Sequence, residues 1–403
     1  MVKISPLNGI TYNLNKINIK DVIAPPYDVI SPDEQDKLYD KSPYNIVRLI
    51  LNRDEDRYNS AARFFNEWLN EKILIKSEKP CIYYYIQNYE NYSRKGFIAH
   101  NLVEEYDKGN VLPHEYTMGG PKADRLNLMK ACGANFSQIF MTYSDPEKEI
   151  DAAIKLPEKP LIDVVDDQGV HNLLYVIDDE KVINKVVEIM KDKQVLIADG
   201  HHRYETSIAY RDWAKTEESK WVMSFYTNLD DENLKVYPTH RIVTRQINKP
   251  ELLENLRKYF DVIESDLETI PDDEIAFGVY FKEGDKYLAR LREKQAVNEM
   301  LDKKGVPDVL KKLDLTVLHQ LVISEFLGFS EEEQLKQEGI KYLKKEKEAI
   351  EAIKKGEASV VFLMATPSIK LIKEVSSQGY KMPQKSTYFY PKLTSGLVIN
   401  PLK

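Results

Sequence analysis

The sequence predicts a mixed α+β protein: a mixed α/β core over residues 1–245 and a second, C-terminal α+β domain over residues 246–403. Three observations carry that prediction. Stretches with apolar residues at helical spacing alternate with short runs rich in β-branched and aromatic residues. An apolar run, "VLIA" at 195–198, passes directly into Asp199-Gly200-His201-His202-Arg203 and then into a helical pattern. From about residue 246 the chain changes character, opening on the charged helical stretch "KPELLENLRKYF".

Taken in order, "DVIAPPYDVISPDEQDKL" contains a Pro-Pro turn, and Ser31 or Asp33 can cap a helix through Leu38. Residues 58–74 have one apolar face at helical spacing. "CIYYYIQNY" (81–89) and "RKGFIAHNLVEEY" (94–106) read as an antiparallel strand pair. A helix is expected over 121–136, ending near Gly133, then strands at 137–143 and 171–177. An amphipathic helix at 180–193 precedes the buried strand 194–198. A helix then runs to about Lys215, followed by strands at 221–229 and 236–243. In the second domain two strands, "IAFGVYF" and "KYLARLR", precede helices over roughly 307–328 and 331–357. A strand "ASVVFLMA", a helix near 367–378 and a polar tail complete the chain.

Composition narrows the function. The 403 residues are 42% hydrophobic and 30% charged, as in an ordinary globular protein. No apolar run approaches the ~18 residues of a membrane helix, and the N-terminus has no apolar signal core, so a cytoplasmic location is expected. Lysine plus arginine number 57 and acids 65, for a net charge of −8. That balance argues against nucleic acid as a bulk partner. Cys81 and Cys132 form no CxxC pair, which excludes a thiolate zinc site and fits a reducing compartment.

The junction at Asp199 holds the chemistry. A strand feeding a helix leaves backbone N–H groups pointing outward with the positive end of the helix dipole, and an anion fits there. Gly200 permits a tight turn and close approach of a ligand. Arg203 can grip a phosphate with two parallel bonds, and His201 and His202 add donors. Asp199 can hold a histidine tautomer or a Mg²⁺ ion. An Asp-Gly pair alone is an ordinary cap and turn. Two imidazoles and a guanidinium added after a buried strand are costly without partners.

A second constellation lies in "LPHEYTMGGPKADRLNLM" (112–129). Glu115, beside His114, can act as a general base if it reaches a hydroxyl. Lys122 and Arg125 can neutralise phosphoryl oxygens, and Thr117 offers a hydroxyl; "PKADR" is also a plain helix start. His240 and Arg241 follow a probable strand and either line the cleft or form a surface pair. The stiff Pro-Pro turn can present Asp28 to a ligand. The tail "QKSTYFYPK" carries Lys385, Ser386, Thr387 and Lys392 among aromatics that favour burial. A tail packed over the cleft would donate Lys385 to a phosphate. His100, His171 and His319 read as structural.

"DGHHRYETSIAY" resembles the signature of the ParB/sulfiredoxin superfamily, whose short motif after a strand grips nucleotide phosphates. The free-serine kinases of that superfamily carry an Asp-Gly-His-His-Arg version, matched here at Asp199 to Arg203. Position 201 is histidine where the sulfiredoxin branch needs cysteine, so thiol repair is not implied. "APPYDVI", "LPHEYTM", "IADGHHRYET", "YPTHR" and "MPQKSTYFYPKLTSGLV" also make the chain similar, over nearly its full length, to a bacterial and archaeal domain-of-unknown-function family. The resemblance implies a ParB/sulfiredoxin-like core and a phosphotransferase using ATP or ADP with Mg²⁺ on a small hydroxylated metabolite, serine being the first guess. It implies Glu115, Asp199 and His202 as the catalytic set and Asp199 as the metal ligand. Gly200, His201, His202, Arg203, Lys122, Arg125 and Lys385 would hold the nucleotide. Asp28, His114, Thr117, His240 and Arg241 would hold the substrate. Two other classes stay open: a nucleotide-sensing or DNA-associated regulator without turnover, and a metal-dependent nuclease. Homo-oligomerisation also stays open.

Overall fold

The computed structural model describes residues 1–117, 119–383 and 385–403, with residues 119–121 described by backbone alone. The architecture is mixed α+β, and the chain forms two compact units. The first comprises residues 1–113, 117–235 and 391–403; the second comprises 114–116 and 236–390. The division therefore falls at 235/236 rather than at 245. The C-terminal segment rejoins the first unit, which no local composition shift announces.

The first unit is built on a nine-stranded sheet. Its strands are β1 (Ile4–Ser5), β2 (Ile82–Tyr89), β3 (Tyr92–Leu102), β4 (Val111–Leu112), β5 (Ile139–Tyr143), β6 (Ile162–Val165), β7 (His171–Ile177), β8 (Val195–Asp199) and β9 (Trp221–Asn228). Their order is β4-β8-β5-β9-β3-β2-β7-β6, with β1 on β3. The expected pair 81–89 and 94–106 is antiparallel, Tyr84 facing Phe97 and Gln87 facing Arg94. Side chains alternate across the sheet. Ile82, Tyr84, Ile86, Phe97, Ala99, Met141 and Ile197 point to one apolar core. The helix Glu180–Lys191, capped by Asp179, covers that core with Ile183, Val186 and Met190. Each such side chain, fully buried, contributes roughly 1.5–3 kcal/mol.

The same alternation places Gln87, Arg94 and Asn172 side by side on the opposite face. That face also carries the buried Tyr85, Ile98, Phe140 and Phe225, and the C-terminal segment packs on its polar residues. Lys392 O accepts from Gln87 Nε2 at 3.1 Å, and Pro391 O accepts from Arg94 Nη2 at 2.6 Å. Thr394 Oγ1 donates to Asn172 Oδ1 at 3.2 Å. Further along, Ala24 and Ser395 exchange backbone hydrogen bonds.

The second unit holds a six-stranded sheet containing His240–Val243, Phe260–Glu264, Ala276–Phe281, Lys286–Leu291, Ile340–Leu343 and Val360–Met364. Asn248 caps the helix Lys249–Tyr259, whose Leu252 and Leu256 pack on Phe260, Phe277 and Phe362. Residues 331–357 are not one helix. Helices Glu331–Lys336 and Glu346–Lys354 flank the strand Ile340–Leu343, and Gly339 at φ 75° turns the chain between them. Among the described residues no helix is long and apolar enough to cross a membrane.

Candidate functional site

Strand β8 ends on Asp199, which a register shift after Ile197 sets opposite Phe140. Gly200 then adopts φ 97°, a left-handed conformation that suits glycine. The helix His201–Ala214 starts there with no side-chain cap. A Cβ on Gly200 would stand 3.0 Å from Arg203 Nη2, so glycine also makes room for the guanidinium that folds back over the turn.

Asp199 is engaged on both oxygens. Arg203 Nη2 donates to Oδ2 at 2.7 Å, and Lys392 Nζ donates to Oδ1. Arg203 Nη1 also donates to Gln138 O at 2.5 Å. These groups are mostly buried, Arg203 being 12% exposed, Asp199 20% and Lys392 9%. Arg94 lies behind them, 1% exposed, with its guanidinium 4.5 Å from the ring centre of Phe140. Phe140 is the cross-strand partner of Asp199. Arg94 Nη2 is bonded to Gln87 and Pro391, but Nε and Nη1 have no hydrogen-bond partner among the described residues. Burial pulls this guanidinium down to about 10, against the opposing influence of Tyr89, Tyr85 and Asp199. It is charged at neutral pH. Three cations thus share one carboxylate.

Tyr27 completes the arrangement. It stands on the short turn Tyr27–Val29, with Arg125 stacked 4.0 Å from its ring centre. Burial raises its phenol, opposed first by Arg203 and then raised or lowered by Asp28, Arg125 and Asp199. A cavity of about 40 Å³ beside it is lined by Tyr27, Arg125, Arg203, Thr206 and Ser207. That is space for roughly three waters.

The structure sorts the other expected residues. Asp28 is exposed on the turn, and it is Tyr27 that faces the charged groups. Arg125 is locked by Asp124, with Nε to Oδ2 at 2.8 Å, and donates from Nη1 to Ile50 O at 2.7 Å. Lys122 and Thr117 both meet Glu205, at 2.8 and 2.7 Å. That triad pairs the lysine charge with Glu205 while leaving Lys122 about a third exposed. His201 is buried and His202 half-buried, both in the first helical turn.

His114 and Glu115 belong to the second unit with His240, Arg241 and Lys385. Glu115 Oε1 accepts from Ser386 N at 2.9 Å, Thr387 N at 3.1 Å and Thr387 Oγ1 at 3.2 Å. His114 Nε2 meets Thr387 Oγ1 at 2.8 Å and is fully buried. Arg241 is fully buried and donates from Nε to His319 Nε2 at 3.0 Å, from Nη1 to Thr239 O and from Nη2 to Lys385 O at 3.3 Å. His240 is likewise buried, its Nδ1 accepting from Met364 N at 3.2 Å. The pair is buried rather than a surface pair, and Arg241 lines a small cavity of about 10 Å³ with Thr239 and Asp314. Lys385 itself is exposed. The tail lysine that meets the Asp199 junction is Lys392.

Sequence reasoning passed over Arg94 and Glu205, and it chose Lys385 rather than Lys392 from the tail and Asp28 rather than Tyr27 from the Pro-Pro turn. The available signals were weak: an arginine in a strand that also holds Ser93, Lys95 and His100, and two lysines in one polar tail. For magnesium the donor set does not fit. Asp199 offers one carboxylate with both oxygens in ion pairs, and among the described residues no group of three or more His, Cys, Asp or Glu converges. The buried cations gathered near Asp199, Arg203 and Lys392 bonded to it and Arg94 within electrostatic reach, are of a kind that can bind phosphate oxygens.

A family model described as "Protein of unknown function (DUF1015)" matches residues 4–316. No curated protein matches the sequence. Among solved structures, a conserved hypothetical protein from Pyrococcus furiosus is 19% identical over 70% of this chain and 87% of its own, with a TM-score of 0.36. A free serine kinase in complex with AMP is 18% identical over 70% of this chain and 83% of its own, with a TM-score of 0.36. SbnI with C-terminal truncation from Staphylococcus aureus is 11% identical over 73% and 84%, with a TM-score of 0.38.

Proposed function

The chain belongs to the family described as Protein of unknown function (DUF1015), so its chemistry has to be argued from the site, and we propose that it binds the phosphates of ATP or ADP at the Asp199–Arg203 junction and moves a phosphoryl group to or from a small hydroxylated metabolite. The observation that carries this reading is the charge count. Arg203 and Lys392 both bond Asp199, and Arg94 lies within its electrostatic reach. A phosphate brings the missing negative charge and enough oxygens for the vacant Arg94 donors. The uncapped N-terminus of the helix His201–Ala214 adds backbone donors at the same end. The Asp-Gly-His-His-Arg resemblance supplies the nucleotide and makes serine the first acceptor to try.

Asp199 acts in this scheme as an internal counter-ion. It holds Arg203 and Lys392 in place and gives them up to the incoming phosphate. With two cations on its oxygens it is a poor base, since such partners stabilise the ionised form. Glu115 remains the candidate base by the motif resemblance. No step is routed through magnesium.

A second reading, nucleotide binding without turnover, has one observation in its favour. Both carboxylates that would take a proton are engaged, Asp199 by two cations and Glu115 by three donors. One experiment separates the two. Purified protein is incubated with labelled ATP, with and without Mg²⁺, and pools of hydroxylated amino acids and sugars. A labelled product that disappears in Arg203→Ala supports the transferase. ATP retained on the protein with no product supports the binder. Neither binding nor product refutes both.

A further inference from the structure

We propose, resting on the phosphate-site reading above, that Lys392 is a ligand-binding residue of this site, delivered to it by the chain's own C-terminal segment. Three features of the first unit support the assignment. Lys392 lies 193 positions after Asp199 in sequence, yet its ammonium meets Asp199 Oδ1 while Arg203 takes Oδ2. One anion is thereby held between a helix-borne guanidinium and a tail-borne ammonium, and those two cations are the pair an exchanged phosphate would inherit.

The tail is held firmly where this matters. Gln87 and Arg94, neighbours across the strand pair β2 and β3, bond the carbonyls of Lys392 and Pro391 respectively. Thr394 and Ser395 continue the anchoring onto Asn172, Ala24 and Ser137. Farther on, Ile399 pairs with Ile10, and Asn400 Nδ2 donates to Asn135 Oδ1 at 2.9 Å. The lysine is thus presented from a fixed backbone, which favours binding because little freedom is left to lose.

Lys392 also opens onto space. A second small cavity, about 30 Å³, is lined by Lys392 and Thr394 with Pro25 and Pro26 of the turn that carries Tyr27, and by the charged residues Lys20, Glu34, Asp166 and Asp167. The lysine therefore stands between the buried ion pair and a cavity, a position for a residue that changes partner.

The test is calorimetric titration of the full chain with ADP, in a chelator to remove divalent metal. Wild type, Arg203→Ala, Lys392→Met and Lys392→Arg are compared. The proposal expects Lys392→Met to weaken ADP binding roughly 10- to 100-fold, the loss of one charge-assisted contact. Lys392→Arg, which keeps the charge, should stay within about fivefold of wild type. If the Met variant melts below the assay temperature, Lys392→Gln, which can still bond Asp199, takes its place with the same expectation. Should Arg203→Ala lose binding while Lys392→Met or Lys392→Gln binds like wild type, the inference is overturned and the phosphate-site reading stands. Should wild type bind no ADP, that reading fails and the inference with it.

Discussion

Two fully buried arginines, one in each unit, have opposite surroundings. Arg94 is 1% exposed and Arg241 0%, and burial pulls both guanidinium groups down to about 10. Arg241 places Nε on His319, Nη1 on Thr239 O and Nη2 on Lys385 O, with Asp314 and Glu115 in electrostatic reach. Its charge and its donors are both accounted for. Arg94 leaves Nε and Nη1 without hydrogen-bond partners among the described residues, and the carboxylate that opposes its charge is already shared by Arg203 and Lys392. A buried cation with a complete set of partners belongs to the structure. On the reading proposed above, Arg94 belongs with Arg203 and Lys392 to a phosphate site.

The sharpest way to break this comparison is to delete one cation from each cluster. Arg203→Ala should weaken ADP binding by about 100-fold or more, as two charge-assisted bonds are lost. Arg241→Ala should leave ADP affinity within about twofold. It should instead cost about 3 kcal/mol of stability in urea, because buried acceptors lose their donors. The reverse pattern would exchange the roles assigned to the two clusters.

Asp199→Asn sharpens the contrast further. If Asp199 is an internal counter-ion, removing its charge should strengthen ADP or phosphate binding about 3- to 10-fold. It should also lower thermal stability by roughly 2–4 kcal/mol, since three cations are left without a carboxylate.

The second unit should reveal itself by pH instead. Burial first, then Arg241, holds His240 down at about 4 and His319 at about 3. The unfolded chain takes up those protons near 6.5, so stability present above pH 6.5 is lost as pH falls toward 4. Asp314 opposes them. Burial raises it to about 6, so its contribution grows as pH falls from about 6 to 4. Two histidines against one aspartate leave a net loss of about 1.4 kcal/mol per pH unit across that window. His100 of the first unit is also lowered by burial and adds in the same direction. Urea midpoints measured between pH 7 and 4.5 check the slope, and His319→Gln should reduce it. The smallest effect is expected at Lys122→Ala, which should change ADP affinity less than about threefold because Glu205 already neutralises that ammonium.

Much of the first unit was legible in its periodicity. Strands at 81–89 and 221–229 are rich in aromatic and β-branched residues and are buried nearly throughout, while the helix 180–191 has a one-sided apolar pattern that its packing follows. The junction at Asp199 was legible too, because an apolar run ending on polar and basic residues cannot be plain core. The tail lysine was not. Lys385 and Lys392 lie seven positions apart in one polar stretch, and what separates them is that the chain passes from the second unit to the first between Tyr390 and Pro391. That passage depends on contacts with Gln87 and Arg94, some 300 residues earlier. Arg94 itself sits next to the exposed Lys95 near the start of its strand, where the sequence gives two adjacent cations and no sign of which is buried. Residues 331–357 read as one helix because their lysines and glutamates favour helix, whereas "IKYL" gains more by pairing with His240–Val243.

The role proposed for Asp199 as an internal counter-ion is tested most directly by titrating wild type and Asp199→Asn with ADP in the presence of chelator. Binding by wild type that becomes several-fold tighter in the variant is the predicted result. Binding that vanishes when the charge of Asp199 is removed would contradict it, for the carboxylate would then be part of what recognises the ligand.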